Sequence, residues 1–209
     1  MNNPKKIVSD GYNQVAAEYG RLEADGSWPR MRWLGKVLKR LDDGSSVLDL
    51  GCGTGIPAGI EIAKRHRLTG VDISEAQILL ARKKIPNAEF IHGDLASAHF
   101  SDASFEAVVS FYALEHLPRR EHAGILDRIY KWLAPGGFLL ISTEAEDADD
   151  ITGEWLGGGD VFQQFRSRDA SGAGRTSPHS STTTAWRRSP RGPITAKPKW
   201  KPHSGARST

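Results

Sequence analysis

The chain has 209 residues, a formal net charge of +3 at pH 7 and one cysteine, Cys52. One cysteine excludes an internal disulfide, and no apolar run approaches the roughly 18 residues that a membrane-spanning helix needs. The first six residues contain no signal-peptide core, and no cluster of cysteine and histidine indicates a metal site. We therefore expect one cytoplasmic domain that holds no metal.

Two amphipathic segments precede the first strand. Residues 7–19 and 31–41 are predicted to be helices because their apolar residues recur with helical spacing. In the second segment these residues form one stripe: Leu34, Val37, Leu38 and Leu41. Such a stripe favours a helix that covers one face of a sheet.

The segment Val47–Gly55 is the most informative part of the chain. An apolar strand that contains Asp49 leads into glycines at positions 51, 53 and 55. Glycine lets the backbone turn tightly and leaves no Cβ to hold a ligand away from the main chain. A helix predicted over residues 60–66 follows, so a large, flat ligand is expected against this turn. A plain tight turn between a strand and a helix is the alternative.

A second apolar run, residues 68–71, ends in Asp72. In a right-handed strand-helix-strand unit, the carboxyl ends of the two parallel strands lie side by side. Asp72 is then expected to point at the place of a ribose. A carboxylate that accepts both ribose hydroxyls makes charge-assisted bonds of about 1.5–3 kcal/mol each. The spacing therefore predicts a nucleotide-like cofactor.

The glycine spacing helps to choose between two classes of cofactor. Dinucleotide enzymes normally have Gly-x-Gly-x-x-Gly, with a pyrophosphate at the helix N-terminus. This chain has Gly-x-Gly-x-Gly, with Asp49 two residues upstream. A carboxylate there would repel a pyrophosphate and would suit a ligand that carries an ammonium and a sulfonium. An oxidoreductase that binds NAD(P) stays open as the alternative.

Further strands and helices alternate along the chain. Strands are predicted over residues 88–92, 105–110 and 138–142, and a helix is predicted over residues 119–133 before a Pro-Gly-Gly stop. Elements of these lengths specify an α/β fold with a mostly parallel sheet and helices on both faces.

Three segments in this order, residues 47–55, 71–74 and 92–95, resemble a class I S-adenosylmethionine-dependent methyltransferase of the small-molecule type. The similarity covers roughly residues 10–156 and implies a Rossmann-like fold with S-adenosylmethionine as the cofactor. It also implies that Asp94 contacts the adenine amino group and that the segment Tyr12–Tyr19 folds over the cofactor as a lid. Capping of a helix by Asp94 and plain packing of the tyrosines are the alternatives. The expected cofactor contacts are Tyr12, Tyr19, Asp49, Gly51, Cys52, Gly53, Gly55, Asp72, Ile73, Asp94, Leu95, Ser110 and Phe111.

The implied reaction moves a methyl group to a small-molecule acceptor that the sequence does not identify. The leaving thioether is neutral, so the protein mainly positions and desolvates the reactants. His116 is the candidate catalytic base because it follows the fourth strand and titrates near neutrality. Glu115 is a weaker candidate, and His116 could instead cap a backbone carbonyl. Phe111 and Tyr112 could bind the acceptor or merely pack.

The last 44 residues differ from the rest in composition. Residues 166–209 contain 10 of the 28 basic residues, 1 of the 25 acidic residues, and no Leu, Val, Met or Phe. Ordering them would cost about 1–2 kcal/mol per residue, whereas burial of Trp186, Ile194 or Trp200 returns about 1.5–3 kcal/mol each. We therefore expect a methyltransferase domain over residues 1–165 and a disordered basic tail over residues 166–209.

The chain departs from the family after the predicted fifth strand. Related enzymes continue with a helix and two strands, one of them antiparallel to the fifth, but here the apolar periodicity ends near Gly158. A translated frameshift, a misassigned reading frame or a truncation accounts for this change better than a purposeful basic tail. We expect the C-terminal strands to be missing and residues 138–142 to form an exposed hydrophobic edge.

Two consequences follow from an altered C-terminus. The acceptor pocket would be incomplete, so a non-catalytic remnant that binds the cofactor is a further alternative. The basic tail could also hold phosphates nonspecifically through residues such as Arg187 and Arg188. We expect neither a membrane nor a nucleic acid as the main partner, and the oligomeric state is not predicted.

Overall fold

The structure is a computed structural model and describes residues 3–24, 28–144, 151–156, 158–164, 181–189 and 201–202. Five α-helices occur in these ranges: α1 (Pro4–Glu23), α2 (Pro29–Leu38), α3 (Ala58–Ala63), α4 (Glu75–Lys84) and α5 (Arg119–Trp132). Nine strands occur there as well: β1 (Ser46–Leu50), β2 (Arg67–Asp72), β3 (Glu89–His92), β4 (Phe105–Phe111), β5 (Leu133–Glu144), β6 (Ile151–Trp155), β7 (Gly158–Gln164), β8 (Ser181–Arg187) and β9 (Lys201–Pro202). Two short 3₁₀ helices span Leu95–Ser97 and Leu114–His116.

The main sheet has the order β3-β2-β1-β4-β5-β8-β9. Strands β1 to β5 pair in parallel, and β8 pairs antiparallel with β5. The predicted α/β fold with a mostly parallel sheet is confirmed. Because the strand order reverses between β1 and β4, the loops after these strands flank the crevice in which such sheets bind ligands.

Helices cover both faces of the sheet, as predicted. Side chains alternate along a strand, so consecutive residues of β1 enter different cores. Val47 packs in a cluster with Leu34 of α2, and Leu48 packs in the opposite cluster with Ile129 of α5. The apolar stripe of the second helix therefore covers the sheet. None of the helices in the described ranges is long and apolar enough to cross a membrane.

The first helix is longer than the predicted segment 7–19. It begins at Pro4, where proline suits the first turn, and the side chain of Asn3 accepts a hydrogen bond from the backbone N–H of Lys5. The helix therefore starts one turn before the apolar periodicity becomes visible, which brings Lys5 into an ordered position.

The predicted exposed edge of β5 is wrong. Strand β8 covers this edge over the register from Phe138 opposite Arg187 to Glu144 opposite Ser181. Ala185 is buried, and Trp186 packs against the core on the side of α5. The local run of three threonines followed by Ala-Trp suits a strand, and β5 offers it unpaired backbone groups. Composition averaged over the whole tail conceals this short segment.

The prediction that the C-terminal strands are missing is therefore wrong for the strand beside β5. After β5, where the resemblance implies a helix, the chain instead contains the antiparallel hairpin of β6 and β7. Apart from residues 181–189 and 201–202, the tail after residue 165 lies outside the described residues, as do Ile194 and Trp200. Disorder there stays a prediction.

Candidate cofactor site

The turn after β1 has a backbone that residues other than glycine rarely adopt. Gly51, Gly53 and Gly55 have φ angles of +78°, +55° and +77°. A Cβ on Gly51 would lie 2.1 Å from the Cβ of Ala113, and one on Gly53 would lie 2.8 Å from Oε1 of Gln77. Glycine is therefore required both by conformation and by space. The turn packs directly against the loop after β4 and the first turn of α4.

Asp72 ends β2 and joins this turn to the next loop. Its Oδ2 accepts a hydrogen bond from the backbone N–H of Gly53 at 2.9 Å, and its Oδ1 accepts one from Ser74 at 2.9 Å. Burial raises the pKa of Asp72, although these two hydrogen bonds oppose the shift. A buried carboxylate in this state gains from additional donors, such as the hydroxyls of a ribose.

Asp49 lies on β1 behind the glycine turn and is only 2% exposed. Its Oδ1 has no hydrogen-bond partner within the described residues. Burial, with a smaller contribution from the charge of Asp72, raises the pKa of Asp49 to about 7. An unpaired buried carboxylate oxygen is costly to keep. A positively charged ligand group near it would relieve this cost and would favour the ionised form.

One cavity opens between the carboxyl ends of the central strands and α1. Gly51 and Gly53 form its floor with Asp72, and His116 stands in its wall. Ten predicted site residues line it in all: Tyr12, Tyr19, Gly51, Gly53, Asp72, Ile73, Asp94, Leu95, Phe111 and His116. The sequence motifs thus come together at one place.

Four predicted cofactor contacts do not line this cavity. Asp49, Cys52, Gly55 and Ser110 are buried and are not among its lining residues. The hydroxyl of Ser110 donates to the carbonyl of Leu50 at 2.9 Å, which ties β4 to β1. Burial raises the pKa of the Cys52 thiol, so this side chain is a small apolar filler. These residues support the turn from behind.

Helix α1 covers the cavity. The rings of Tyr12 and Tyr19 meet edge to face, with centroids 5.6 Å apart. Ser9 donates to the backbone carbonyl of Ile73 at 3.0 Å, and Oδ1 of Asn13 accepts from the hydroxyl of Ser74 at 2.8 Å. Helix α1 is therefore fixed to the loop that follows Asp72. That Tyr12–Tyr19 acts as a lid over a cofactor stays a prediction.

Lys5 connects the start of α1 to two acidic side chains. Its Nζ lies 2.7 Å from Oδ2 of Asp94 and 2.5 Å from Oε2 of Glu121. Burial lowers the pKa of Lys5, but hydrogen bonds to both carboxylates outweigh this and raise it. The other oxygen of Asp94 accepts from the backbone N–H of Ala96 at 2.9 Å. Asp94 thus caps a 3₁₀ helix and also lines the cavity, and its contact with an adenine amino group stays a prediction.

His116 lies at the end of the 3₁₀ helix that follows β4. Its Nε2 is 3.1 Å from the hydroxyl of Tyr12, and the two rings meet edge to face at 5.5 Å. The candidate base is thus held by a residue of the covering helix. Glu115 is buried and does not line the cavity.

A buried ion pair stands behind the aromatic wall of the cavity. Arg30 of α2 pairs with Glu23 of α1, and the two side chains are 5% and 6% exposed. The Arg30 guanidinium lies 5.3 Å from the ring centroid of Tyr112 and 5.9 Å from that of Phe111. These contacts fix Tyr112, which has a φ of +61°, a conformation that is uncommon for a bulky side chain.

Six lining residues are not among the cofactor contacts predicted from the sequence. A signal existed for two of them, because Lys5 and Val8 lie seven and four positions before Tyr12 and so share its helix face. Tyr112, Ala113 and Leu117 are neighbours of Phe111 and His116. The full set is Lys5, Val8, Gln77, Tyr112, Ala113 and Leu117. Within the described residues, no group of three or more His, Cys, Asp or Glu is placed to hold a metal ion.

Comparison with known proteins finds similarity to methyltransferases over part of the chain. Residues 47–137 match a family model described as "Methyltransferase domain". A protein of Mycolicibacterium smegmatis named "Probable S-adenosylmethionine-dependent methyltransferase" is 36% identical over 100 residues, which are 48% of this chain and 38% of that protein. The demethylmenaquinone methyltransferase of Lactococcus lactis is 30% identical over 144 residues, 64% of this chain and 56% of its own length. The chain thus spans about half of these relatives or less.

Solved structures give the same result. A TehB-like S-adenosylmethionine-dependent methyltransferase from Corynebacterium glutamicum superposes with a TM-score of 0.56 and 25% identity. The match covers 65% of this chain and 74% of that one. The superposition shows that this chain shares the fold of an S-adenosylmethionine-dependent methyltransferase over about two thirds of its length.

Proposed function

We propose, from the premise that residues 47–137 belong to the class I S-adenosylmethionine-dependent methyltransferases, that this chain transfers a methyl group to a small-molecule acceptor. The observation that carries the proposal is a cavity with a side-chain-free floor and acidic groups around it. Asp72 borders this cavity, and the orphan oxygen of Asp49 lies behind it. Such a site suits a ligand with a sulfonium and an ammonium better than one with a pyrophosphate.

The residues divide between the two ends of the cofactor. At the adenosine end, Asp72 accepts from the ribose hydroxyls, and Asp94 accepts from the adenine amino group. Ile73 and Leu95 flank the adenine ring. At the amino-acid end, the backbone of the glycine turn approaches the ligand closely, and Asp49 balances its ammonium charge. The remaining expected contacts cover the ligand or support the turn: Tyr12, Tyr19, Gly51, Cys52, Gly53, Gly55, Ser110 and Phe111.

When bound, the cofactor supplies a methyl group on a sulfonium, and the neutral thioether leaves without an acid. The protein must therefore orient the acceptor, exclude water and remove a proton where the acceptor carries one. We assign proton removal to His116. Tyr12, 3.1 Å from Nε2, holds the imidazole in the cavity and brings α1 over it. Phe111 and Tyr112 offer aromatic surfaces to the acceptor.

For the acceptor we propose only a class, a small molecule. Strand β7 lies against α1 and against the 3₁₀ helix that carries His116, and we place the acceptor beside these elements. Whether the pocket is complete stays open to the transfer assay below. Demethylmenaquinone methyltransferases are among the relatives, so a demethylmenaquinone analogue is the first acceptor to test. A cytoplasmic location stays an expectation.

Calorimetric titration with S-adenosylhomocysteine and, separately, with NAD⁺ and NADP⁺ tests the cofactor. We expect binding of the first and none of the dinucleotides; tighter dinucleotide binding would establish the oxidoreductase alternative. Transfer of labelled methyl from S-adenosylmethionine to a panel of phenols, amines and quinols tests the reaction. Binding without transfer to any acceptor would favour the non-catalytic remnant.

A further inference from the structure

The side chain of Gln77 stands out among the residues that line the cavity. It lies in the first turn of α4 and is 1% exposed. Its Oε1 has no hydrogen-bond partner among the residues that the structure describes. Buried polar side chains almost always have such a partner. A group that lines a ligand cavity and lacks one points to a donor that the ligand supplies.

Hydrogen bonds fix the backbone around Gln77, so the position of its side-chain amide is well defined. Ser74 caps α4 and accepts from the Gln77 N–H at 3.3 Å. The hydroxyl of Ser74 in turn donates to Asn13 of α1. The first turn of α4 is thus fixed to the covering helix on one side and to the loop after β2 on the other.

Gln77 and Asp72 approach the same glycine. The N–H of Gly53 donates to Asp72 at 2.9 Å, and a Cβ built on Gly53 would come within 2.8 Å of Oε1 of Gln77. Two acceptor groups therefore flank the floor of the cavity at one point. A ligand that brings two adjacent hydroxyls to this point would satisfy both.

We propose that Gln77 is a second ribose acceptor, whose Oε1 takes a hydrogen bond from a hydroxyl of the cofactor beside the hydroxyl bound by Asp72. The proposal rests on the proposed function, because it takes the ligand to be an adenosyl compound. A neutral carbonyl suits a hydroxyl, whereas the ammonium of the same ligand is served by the negative charge of Asp49. Removal of an unpaired buried acceptor should also leave the stability of the unliganded protein unchanged or raise it, because the desolvation cost of that acceptor disappears.

The test replaces Gln77 by leucine and measures two properties of the full chain. Calorimetry gives the affinity for S-adenosylhomocysteine and for methylthioadenosine, which has the ribose but no amino-acid portion. We expect Gln77→Leu to weaken both about tenfold, as loss of one hydrogen bond does. The unliganded Tm should stay the same or rise, because the variant buries no unpaired acceptor. Gln77→Glu, which keeps an oxygen at the same place, should retain most of the affinity.

Asn87→Leu is the control, since Asn87 is exposed in the turn after α4, does not line the cavity and also exchanges an amide for leucine. It should leave both affinities unchanged. Gln77→Met, which has the length of glutamine, serves as the second variant if leucine does not fold. Unchanged affinity in the folded variants would overturn the proposal. A loss of affinity that is accompanied by a lower Tm of the unliganded variant would show that Gln77 only packs, and would also overturn the proposal.

The two ligands separate the remaining outcomes. Loss of affinity for S-adenosylhomocysteine alone would show that Gln77 meets the amino-acid portion, which contradicts a ribose contact. Binding to the wild-type chain that Gln77→Leu leaves intact would overturn only the assignment of Gln77. Absence of binding of either ligand to the wild-type chain would overturn the proposed function and, with it, this assignment.

Discussion

Two regions of the sheet differ in whether their buried polar groups have hydrogen-bond partners. We call them the cofactor edge and the β5–β8 edge. At the cofactor edge, formed by the turn after β1 and the start of α4, Asp49 and Gln77 each bury an oxygen without a partner in the described part of the chain. At the β5–β8 edge, the hydroxyls of Ser142 and Thr183 lie 2.8 Å apart and satisfy each other. Buried Arg188 there donates to the carbonyl of Leu133.

This difference distinguishes polar groups that bind a ligand from polar groups that stabilise the fold. A polar group that serves only the fold gains nothing from being left unpaired, so the β5–β8 edge behaves as a structural joint. The cofactor edge carries a cost in the unliganded protein that a ligand can remove. Replacement of an unpaired polar group at the first should therefore lower affinity and raise stability, whereas replacement of a paired group at the second should lower stability alone.

Asp72→Ala should have the largest effect. It removes the carboxylate expected to accept two ribose hydroxyls, and two charge-assisted bonds of about 1.5–3 kcal/mol each correspond to a loss of about 100-fold or more. Calorimetry with S-adenosylhomocysteine measures the change. Asp102→Ala, at an exposed position, is the control and should bind as the wild type does. If Asp72→Ala and Asp102→Ala bound S-adenosylhomocysteine equally well, the cofactor edge would not be a binding site for this ligand.

Gly51→Ala should lower the free energy of unfolding by about 2–4 kcal/mol, because the new Cβ meets Ala113 and φ is positive. Gly35→Ala is a matched control inside α2, where an added Cβ meets nothing within 4 Å. That change should instead stabilise the helix by about 0.5–1 kcal/mol. Urea unfolding of both variants measures the difference, and a stable Gly51→Ala protein would contradict the described turn.

Asp49 makes stability depend on pH. Its folded pKa of about 7 lies above its ordinary value of 3.8, so the folded state holds the proton more tightly. The stability that this proton gives is complete below pH 4 and is lost as the pH rises to about 7. The loss is on the order of a few kcal/mol.

Asp49→Asn should remove most of this loss and raise the Tm of the unliganded chain at pH 8. It should also weaken binding of S-adenosylhomocysteine, whose ammonium favours an ionised carboxylate. Thermal unfolding from pH 4 to 8, with and without the ligand, measures both effects. A variant with the slope of the wild type would assign the pH dependence to other groups, Asp72 first.

Thr183→Val should have the smallest effect, about 1 kcal/mol of stability, because it removes one hydroxyl hydrogen bond at the β5–β8 edge. The affinity for S-adenosylhomocysteine should not change. Chemical unfolding and calorimetry on the same preparation check the two statements. A loss of affinity without a loss of stability would show that this edge also takes part in binding.

The features that the sequence predicted are local ones. The glycine turn and Asp72 follow from spacing within one strand-helix-strand unit, which fixes where the carboxyl ends of neighbouring strands meet. The same reasoning brought Asp94 and His116 to the cavity. Nothing local, however, indicates that Lys5 meets Asp94 and Glu121, because these contacts depend on how α1 crosses the sheet.

The errors arose where tertiary pairing decides the structure. Strand β8 lies in a segment whose average composition predicts disorder, and it is ordered by the unpaired backbone of β5. Gln77 was missed for a different reason. A glutamine in the first turn of a helix is usually exposed, and only the packing of that turn against Gly53 buries it.

The contact between Tyr12 and His116 joins the beginning of the chain to its middle. Movement of α1 away from the sheet would take the phenol with it and leave the imidazole without that neighbour. In the proposed reaction, alignment of the base would thereby depend on closure of the cavity by α1.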